Sequence, residues 1–210
     1  MQPYKLTDED QANIIKAINE GGKIWESKHI SDFKDKVKQH YRTEQNEQCC
    51  YCKRITFGEF KMVLDIEHIL PKGNDKFKRF MFEPKNLSIA CRRCNVNIKK
   101  ADVSFLVKGA TFDKAFEASN KYLFLHPHTD NYWNSIEYKV AVENHIYLIK
   151  YTVVNNCPKG EYTYKYFKLN ELEIETVDTA QGIKNIEISP AIDDDIAIEI
   201  QNLLMNSGRT

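Results

Sequence analysis

Four cysteines stand in two C-x2-C pairs, Cys49 with Cys52 and Cys91 with Cys94, and 38 residues separate the pairs. A C-x2-C turn offers two thiolates from one tight knuckle, and two knuckles complete the tetrahedral ligand set of a closed structural zinc site. The rival chemistry of C-x-x-C is thiol redox, which would explain one pair and not two. Cys50 could replace Cys49 as a ligand, but only Cys49 repeats the two-residue spacing of the second knuckle. Cys50 and Cys157 are therefore read as packing thiols.

The loop that such a zinc would close carries Asp65-Ile66-Glu67-His68-Ile69-Leu70-Pro71, then Asn86-Leu87, and Asn95 directly follows the last cysteine. A histidine near neutrality can take a proton from water and release it. Glutamate is a hard oxygen donor that suits a divalent cation. Taken singly these residues say little, because a histidine at a strand end is usually structural and asparagines are common in turns and caps. Asp65 can cap the turn or support a neighbour.

The order of these pieces resembles the HNH nucleases: a cysteine knuckle, an acid-His pair, an asparagine on the intervening loop, and a second knuckle followed by His or Asn. The resemblance covers residues 45–101 and implies a ββα-metal core. It makes His68 the general base, Glu67 and Asn95 the ligands of a catalytic Mg2+ or Mn2+, and Asn86 the residue that holds the loop and orients the base. An asparagine at position 95, where many members have histidine, makes this an H-N-N variant. More narrowly, IEHILPKG, the Asn-Leu element, CRRCN, Lys99 and the later HPHTD look like the HNH subunits of Septu-type and retron-linked antiphage systems. That similarity implies a defence role and a companion ATPase. HPHTD also offers His126 and His128, but no further ligand stands in register and a second metal there is not expected.

Charge supports a polyanionic partner. The chain holds 30 basic and 30 acidic residues, but residues 1–125 carry 23 basic against 17 acidic and residues 126–210 carry 7 against 13. Lys53 and Arg54 follow the first knuckle, Arg92 and Arg93 lie inside the second, and Lys72 opens a basic loop. These five are the candidate phosphate contacts, which give affinity and salt dependence rather than sequence reading.

The elements that must position these residues follow from pattern. Thr7 with Asp10 three residues on is a capping box, and Ile14, Ile15 and Ile18 share a face, so a helix is expected to Glu20 before Gly21-Gly22. Phe33, Val37 and Tyr41 predict a second helix from Ser31. The run FGEFKMVLDIEHIL reads as one or two strands, residues 72–85 as a basic loop, and RRCNVNIKKAD as a short helix whose terminal Lys99 and Lys100 suit its dipole. Alternation at Ile136, Tyr138, Val140 and Val142, the run HIYLIKYTVV, and Tyr162, Tyr164 and Tyr166 predict antiparallel strands. Asp193 to Asp195 with Ile196, Ile200, Leu203 and Leu204 predict a closing helix.

The expectation is thus an α+β protein with a helical segment at 1–44, a zinc-stabilised HNH core at 45–105, and an acidic β-rich region with a terminal helix at 106–210. Its expected activity is metal-dependent cleavage of phosphodiester bonds, with DNA as first choice. An RNase of the same fold and an inert zinc-containing nucleic-acid-binding module are the alternatives. Hydrophobic residues make up 42% of the chain, which fits a folded domain and excludes low-complexity classes. With no apolar stretch near the roughly 18 residues of a membrane span and no secretory pattern in MQPYKLTDEDQ, the expected location is cytoplasmic, without a membrane partner.

Overall fold

A computed structural model describes residues 1–56, 64–113, 115–143 and 146–175. The chain mixes helices with two small antiparallel sheets, an α+β architecture. It divides into two compact units, one formed by Met1–Glu137 with Val153–Leu169, the other by Tyr138–Thr152 with residues 170–175.

The first unit begins with α1 (Asp8–Glu20), where Thr7 and Asp10 form the expected capping box. The Asp10 carboxylate also accepts from Tyr4 Oη at 2.8 Å. Burial alone would raise the Asp10 pKa, but the hydrogen bonds from Thr7 and Tyr4 outweigh it and hold the carboxyl below its ordinary range. In α2 (Ser31–Glu44), Phe33, Val37 and Tyr41 are the buried face, and the helix packs on the sheet formed by β1 (Leu64–His68) and β2 (Leu87–Cys91). These two strands pair antiparallel, with Leu64 opposite Cys91 and His68 opposite Leu87. All five residues of β2 are buried. That burial fits its run of small and apolar side chains, and it leaves Ser88 in need of a partner. Gln45 supplies one: its Oε1 accepts from Ser88 Oγ at 2.6 Å and from Ile89 N at 3.0 Å, while its Nε2 donates to Ile89 O at 2.9 Å.

Residues 92–99 are helical, as the sequence suggests, but the turn from Arg93 to Lys99 is a π-helix, closed by Lys100 N donating to Asn95 O at 2.8 Å. The wide turn aims Lys99 into the core, with 1% of its surface exposed, instead of leaving it outside to face a helix end. The dipole reading of Lys99 is therefore corrected.

A second correction concerns Tyr162, Tyr164 and Tyr166, which lie on a helix, α3 (Pro158–Tyr166), and not on a strand. Pro158 occupies the first turn, Cys157 Sγ accepts from Gly160 N, and Tyr162 stacks on Tyr166 one turn later with ring centroids 5.7 Å apart. The spacing that suggests alternation also contains an i, i+4 pair, and the proline start decides between the two. Cys157 is thus a helix cap, donating to Ser135 Oγ at 3.3 Å.

In the three-stranded sheet, β4 (Ile146–Val153) lies between β3 (Ile136–Glu143) and β5 (Ile174–Glu175), so two of the expected β-runs are strands. Within the second unit Tyr138 stacks on Tyr151 at 4.7 Å, and Lys150 pairs with Glu173 at 3.2 Å. Of the run FGEFKMVLDIEHIL, expected as one or two strands, Leu64–His68 is β1 and residues 57–63 lie outside the described residues, as does the expected closing helix from Asp193.

Candidate metal centre and the Glu67–His68 pair

The two knuckles converge. The sulfurs of Cys49, Cys52, Cys91 and Cys94 all lie within 4.8 Å of one another, and all four residues are buried. Cys52 Sγ stands 3.8 Å from Cys91 Sγ. That separation is too long for a disulfide, and it matches the roughly 3.8 Å between thiolates of a tetrahedral ion with Zn–S bonds of about 2.3 Å. The donor set therefore fits zinc, and these four residues could hold it. The first knuckle turns sharply: Lys53 adopts φ 56° and its N–H donates to Cys49 O at 3.0 Å. Burial would raise the Cys49 thiol, but the thiols of Cys50, Cys52, Cys91 and Cys94 around it hold it well below its ordinary value. Cys50 stays outside the cluster, and burial pushes its thiol well up, as suits a packing residue.

His68 ends β1, 5% exposed, with its ring against Trp25 at 4.3 Å between centroids. Nε2 lies 3.1 Å from Met81 O. A carbonyl only accepts, so that nitrogen carries the proton and Nδ1 keeps its lone pair. Burial first, then the Lys72 cation, pushes the His68 pKa well below the ordinary imidazole value, so the ring is neutral.

Asn86 is fully buried and makes the hydrogen bonds that the loop needs. Its Oδ1 accepts from Leu70 N at 2.7 Å, and its Nδ2 donates to Leu70 O at 3.1 Å and to Phe80 O at 3.0 Å. The loop between residues 70 and 86 is thereby tied at both ends, one residue short of the carbonyl that holds His68.

Glu67 is 1% exposed, and its Oε1 has two partners: Lys99 Nζ at 2.7 Å and Tyr51 Oη at 3.0 Å. Lys99 Nζ also donates to His68 O at 2.9 Å and lies 5.5 Å from the centre of the Phe105 ring. Tyr51 comes from inside the first knuckle and Lys99 from just beyond the second, so both halves of the cysteine centre reach the same carboxylate. Of the two residues expected to take a catalytic cation, Glu67 thus already holds a lysine, and with that ammonium on Oε1 the carboxylate is a poor site for Mg2+ or Mn2+. Asn95, half-buried at the start of the π turn, contributes its carbonyl to that turn. Among the described residues the four cysteines are the one group of three or more His, Cys, Asp or Glu side chains close enough to share an ion.

The basic candidates separate. Arg93 donates to Phe167 O and Lys168 O, both at 2.8 Å, and so binds the carbonyl end of α3. Arg92 and Arg54 are exposed. Lys72 lies 5.7 Å from the centre of the Trp25 ring beside His68. Lys53 lies 4.7 Å from the Tyr132 ring and 5.9 Å from that of Trp133, in a cleft of about 390 Å³. His126 and His128 serve the fold: His126 Nδ1 accepts from His128 N, and His128 Nε2 donates to Leu87 O at 2.7 Å.

Sequence reasoning missed Tyr51, Gln45, Lys99 in its buried role, and the Met81 carbonyl. Only Tyr51 carried a signal, its position between two ligands of one knuckle. Comparison with protein-family models, with curated proteins and with solved structures finds no match to this chain. Among the described residues no helix is long and apolar enough to cross a membrane.

Proposed function

We propose that the chain hydrolyses phosphodiester bonds, with DNA as substrate, in the manner of the HNH nucleases it resembles in sequence. The observation that carries this reading is the setting of His68. A neutral imidazole sits at the end of a two-stranded ladder, with one nitrogen fixed by Met81 O and its loop tied by Asn86, in the same unit as a four-cysteine centre and a helical turn that contains Asn95. That order of strand, loop, strand and helical turn supports the ββα-metal reading.

In this reading Nδ1 of His68 takes a proton from the attacking water, and Met81 O holds the ring in the tautomer that leaves Nδ1 unprotonated. Asn86 preserves that orientation without touching substrate. Lys72 and Arg92 attract the phosphate backbone, and Lys53 beside Tyr132 and Trp133 offers a cation next to aromatic faces, a combination that holds nucleic acid with little sequence preference. The Mg2+ or Mn2+ that the resemblance implies would supply charge stabilisation at the phosphate, but with Glu67 engaged no step is assigned to it.

The test is incubation of the zinc-loaded protein with plasmid and with total RNA, alongside His68→Ala. Plasmid cleavage that His68→Ala abolishes, with zinc content and circular dichroism unchanged, is the expected result. Cleavage of RNA alone makes the protein an RNase. Binding without cleavage in either sample leaves the zinc-containing binding module. The similarity to antiphage HNH subunits extends the proposal to a companion ATPase, with the acidic residues 126–210 as its docking region. Coexpression with neighbouring gene products should then yield a stable complex.

A further inference from the structure

The residue that fills Glu67 has a consequence for the ion this site is expected to take. We propose that the Lys99 ammonium is the resident cation of the Glu67–His68 pair and that it excludes divalent ions from Glu67. The proposal rests on the nuclease reading for its meaning, though not for its test.

Three observations support it. First, the ammonium makes the contacts that a cation in this position would make, to the Glu67 carboxylate at 2.7 Å and to the His68 carbonyl at 2.9 Å. A magnesium ion must approach its oxygen ligands to about 2.1 Å, and an ammonium 2.7 Å from Oε1 repels a second cation from that carboxylate. Second, the charge already balances. Glu67 and Lys99 are both 1% exposed, and adding a divalent ion beside them would leave an uncompensated charge away from water. Magnesium also gives up its waters reluctantly, which disfavours it at a buried carboxylate that an ammonium already serves.

Third, the lysine is built into place. The π turn closes with Lys100 N on Asn95 O, which directs Lys99 inward, and the Phe105 ring beneath Nζ adds a second favourable surface for a cation. Tyr51 Oη, the other donor on Glu67 Oε1, is positioned by the first knuckle and by the Phe167 ring stacked at 4.2 Å. Both knuckles therefore stabilise the lysine-bound form of Glu67, and zinc at the four cysteines would reinforce it. The positive charge next to His68 is then genetically encoded and always present, rather than recruited from solution.

The experiment titrates zinc-loaded full-length protein with Mn2+, following the free-ion electron paramagnetic resonance signal. The proteins compared are wild type, Glu67→Gln, Lys99→Met, Lys99→Arg and the Lys99→Met/Glu67→Gln double variant. Wild type and Lys99→Arg are expected to show no Mn2+ binding that depends on Glu67. Lys99→Met is expected to gain one site, tighter than any on wild type by roughly 10- to 100-fold, the factor that one charge-assisted hydrogen bond represents. The double variant should lose that site again. Wild-type Mn2+ binding that Glu67→Gln removes would overturn the proposal, and so would a folded Lys99→Met that gains no site. If Lys99→Met does not fold, the decision passes to wild type alone: the NMR signals of the Lys99 ammonium must stay sharp under Mn2+, and paramagnetic broadening there overturns the proposal. An absence of cleavage in every variant would count against the nuclease reading and leave these titrations unaffected.

Discussion

Replacing Asn86 by alanine should cost more than a buried asparagine ordinarily would, because its amide closes a loop at both ends. The variant loses the bonds to Leu70 N, Leu70 O and Phe80 O, each contributing roughly 1 kcal/mol net, and it strands the Leu70 N–H where water cannot reach. Together these set the expected loss at about 3–5 kcal/mol. Urea denaturation of the zinc-loaded protein measures it. Asn86→Asp keeps the acceptor for Leu70 N, but it faces two carbonyl oxygens with a carboxylate, so it should be at least as unstable as alanine at pH 7 and milder in acid. The same release reaches His68, since Met81 follows Phe80 directly and its carbonyl holds Nε2. In Asn86→Ala the Nε2–H proton should exchange faster, and cleavage should fall by about 10- to 100-fold, the usual penalty for loosening a group that orients a reactive one. A loss below about 1 kcal/mol with an unchanged Nε2–H signal would refute the idea that Asn86 supports the base.

Two further outcomes follow from the buried groups. Cys91→Ser should lose zinc and with it most of the structure, because zinc binding at sites of this kind contributes on the order of 10 kcal/mol to folding; elemental analysis that finds no zinc in native protein would contradict it. Stability should also fall in mild acid. Burial holds His126 well below its ordinary pKa and pushes His128 down to about 4, so the unfolded chain binds protons more readily than the folded one. The contribution is full above about pH 6.5 and drains away as the pH drops toward 4, with His128 alone accounting for about 3 kcal/mol. A urea midpoint that stays flat or rises between pH 7 and pH 5 would show that these imidazoles are charged in the fold.

What the sequence reveals here depends on how local the cause is. The capping box at Thr7, the buried face of Phe33, Val37 and Tyr41, and the four-cysteine ligand set are fixed by neighbours within a few residues or by a paired spacing, and all are legible. Asn86 as a loop tie is legible only through its place in a resemblance, because its partners lie up to 16 residues away. Lys99 reads as a surface cation because no local feature distinguishes it from Lys100; its burial depends on a wide helical turn and on a carboxylate 32 positions earlier in the chain. Gln45 is silent for the same reason, since the strand it completes lies 44 residues downstream. Tyr162 and Tyr166 mislead because a spacing of four satisfies both a strand and a helix.

The first unit is sewn from two stretches of chain, and that has a consequence for the order in which the protein is made. All four cysteines are in the chain once Cys94 is synthesised, so the knuckles can close early. The Phe167 ring that backs Tyr51 and the carbonyls that Arg93 holds come much later, after β3 and β4 have been threaded. At roughly 5–20 residues per second the interval lasts seconds. During it the nascent chain can bring its four cysteines together while the hydroxyl that steadies Glu67 still lacks its support. Residue 167, and not residue 94, is where synthesis completes the site.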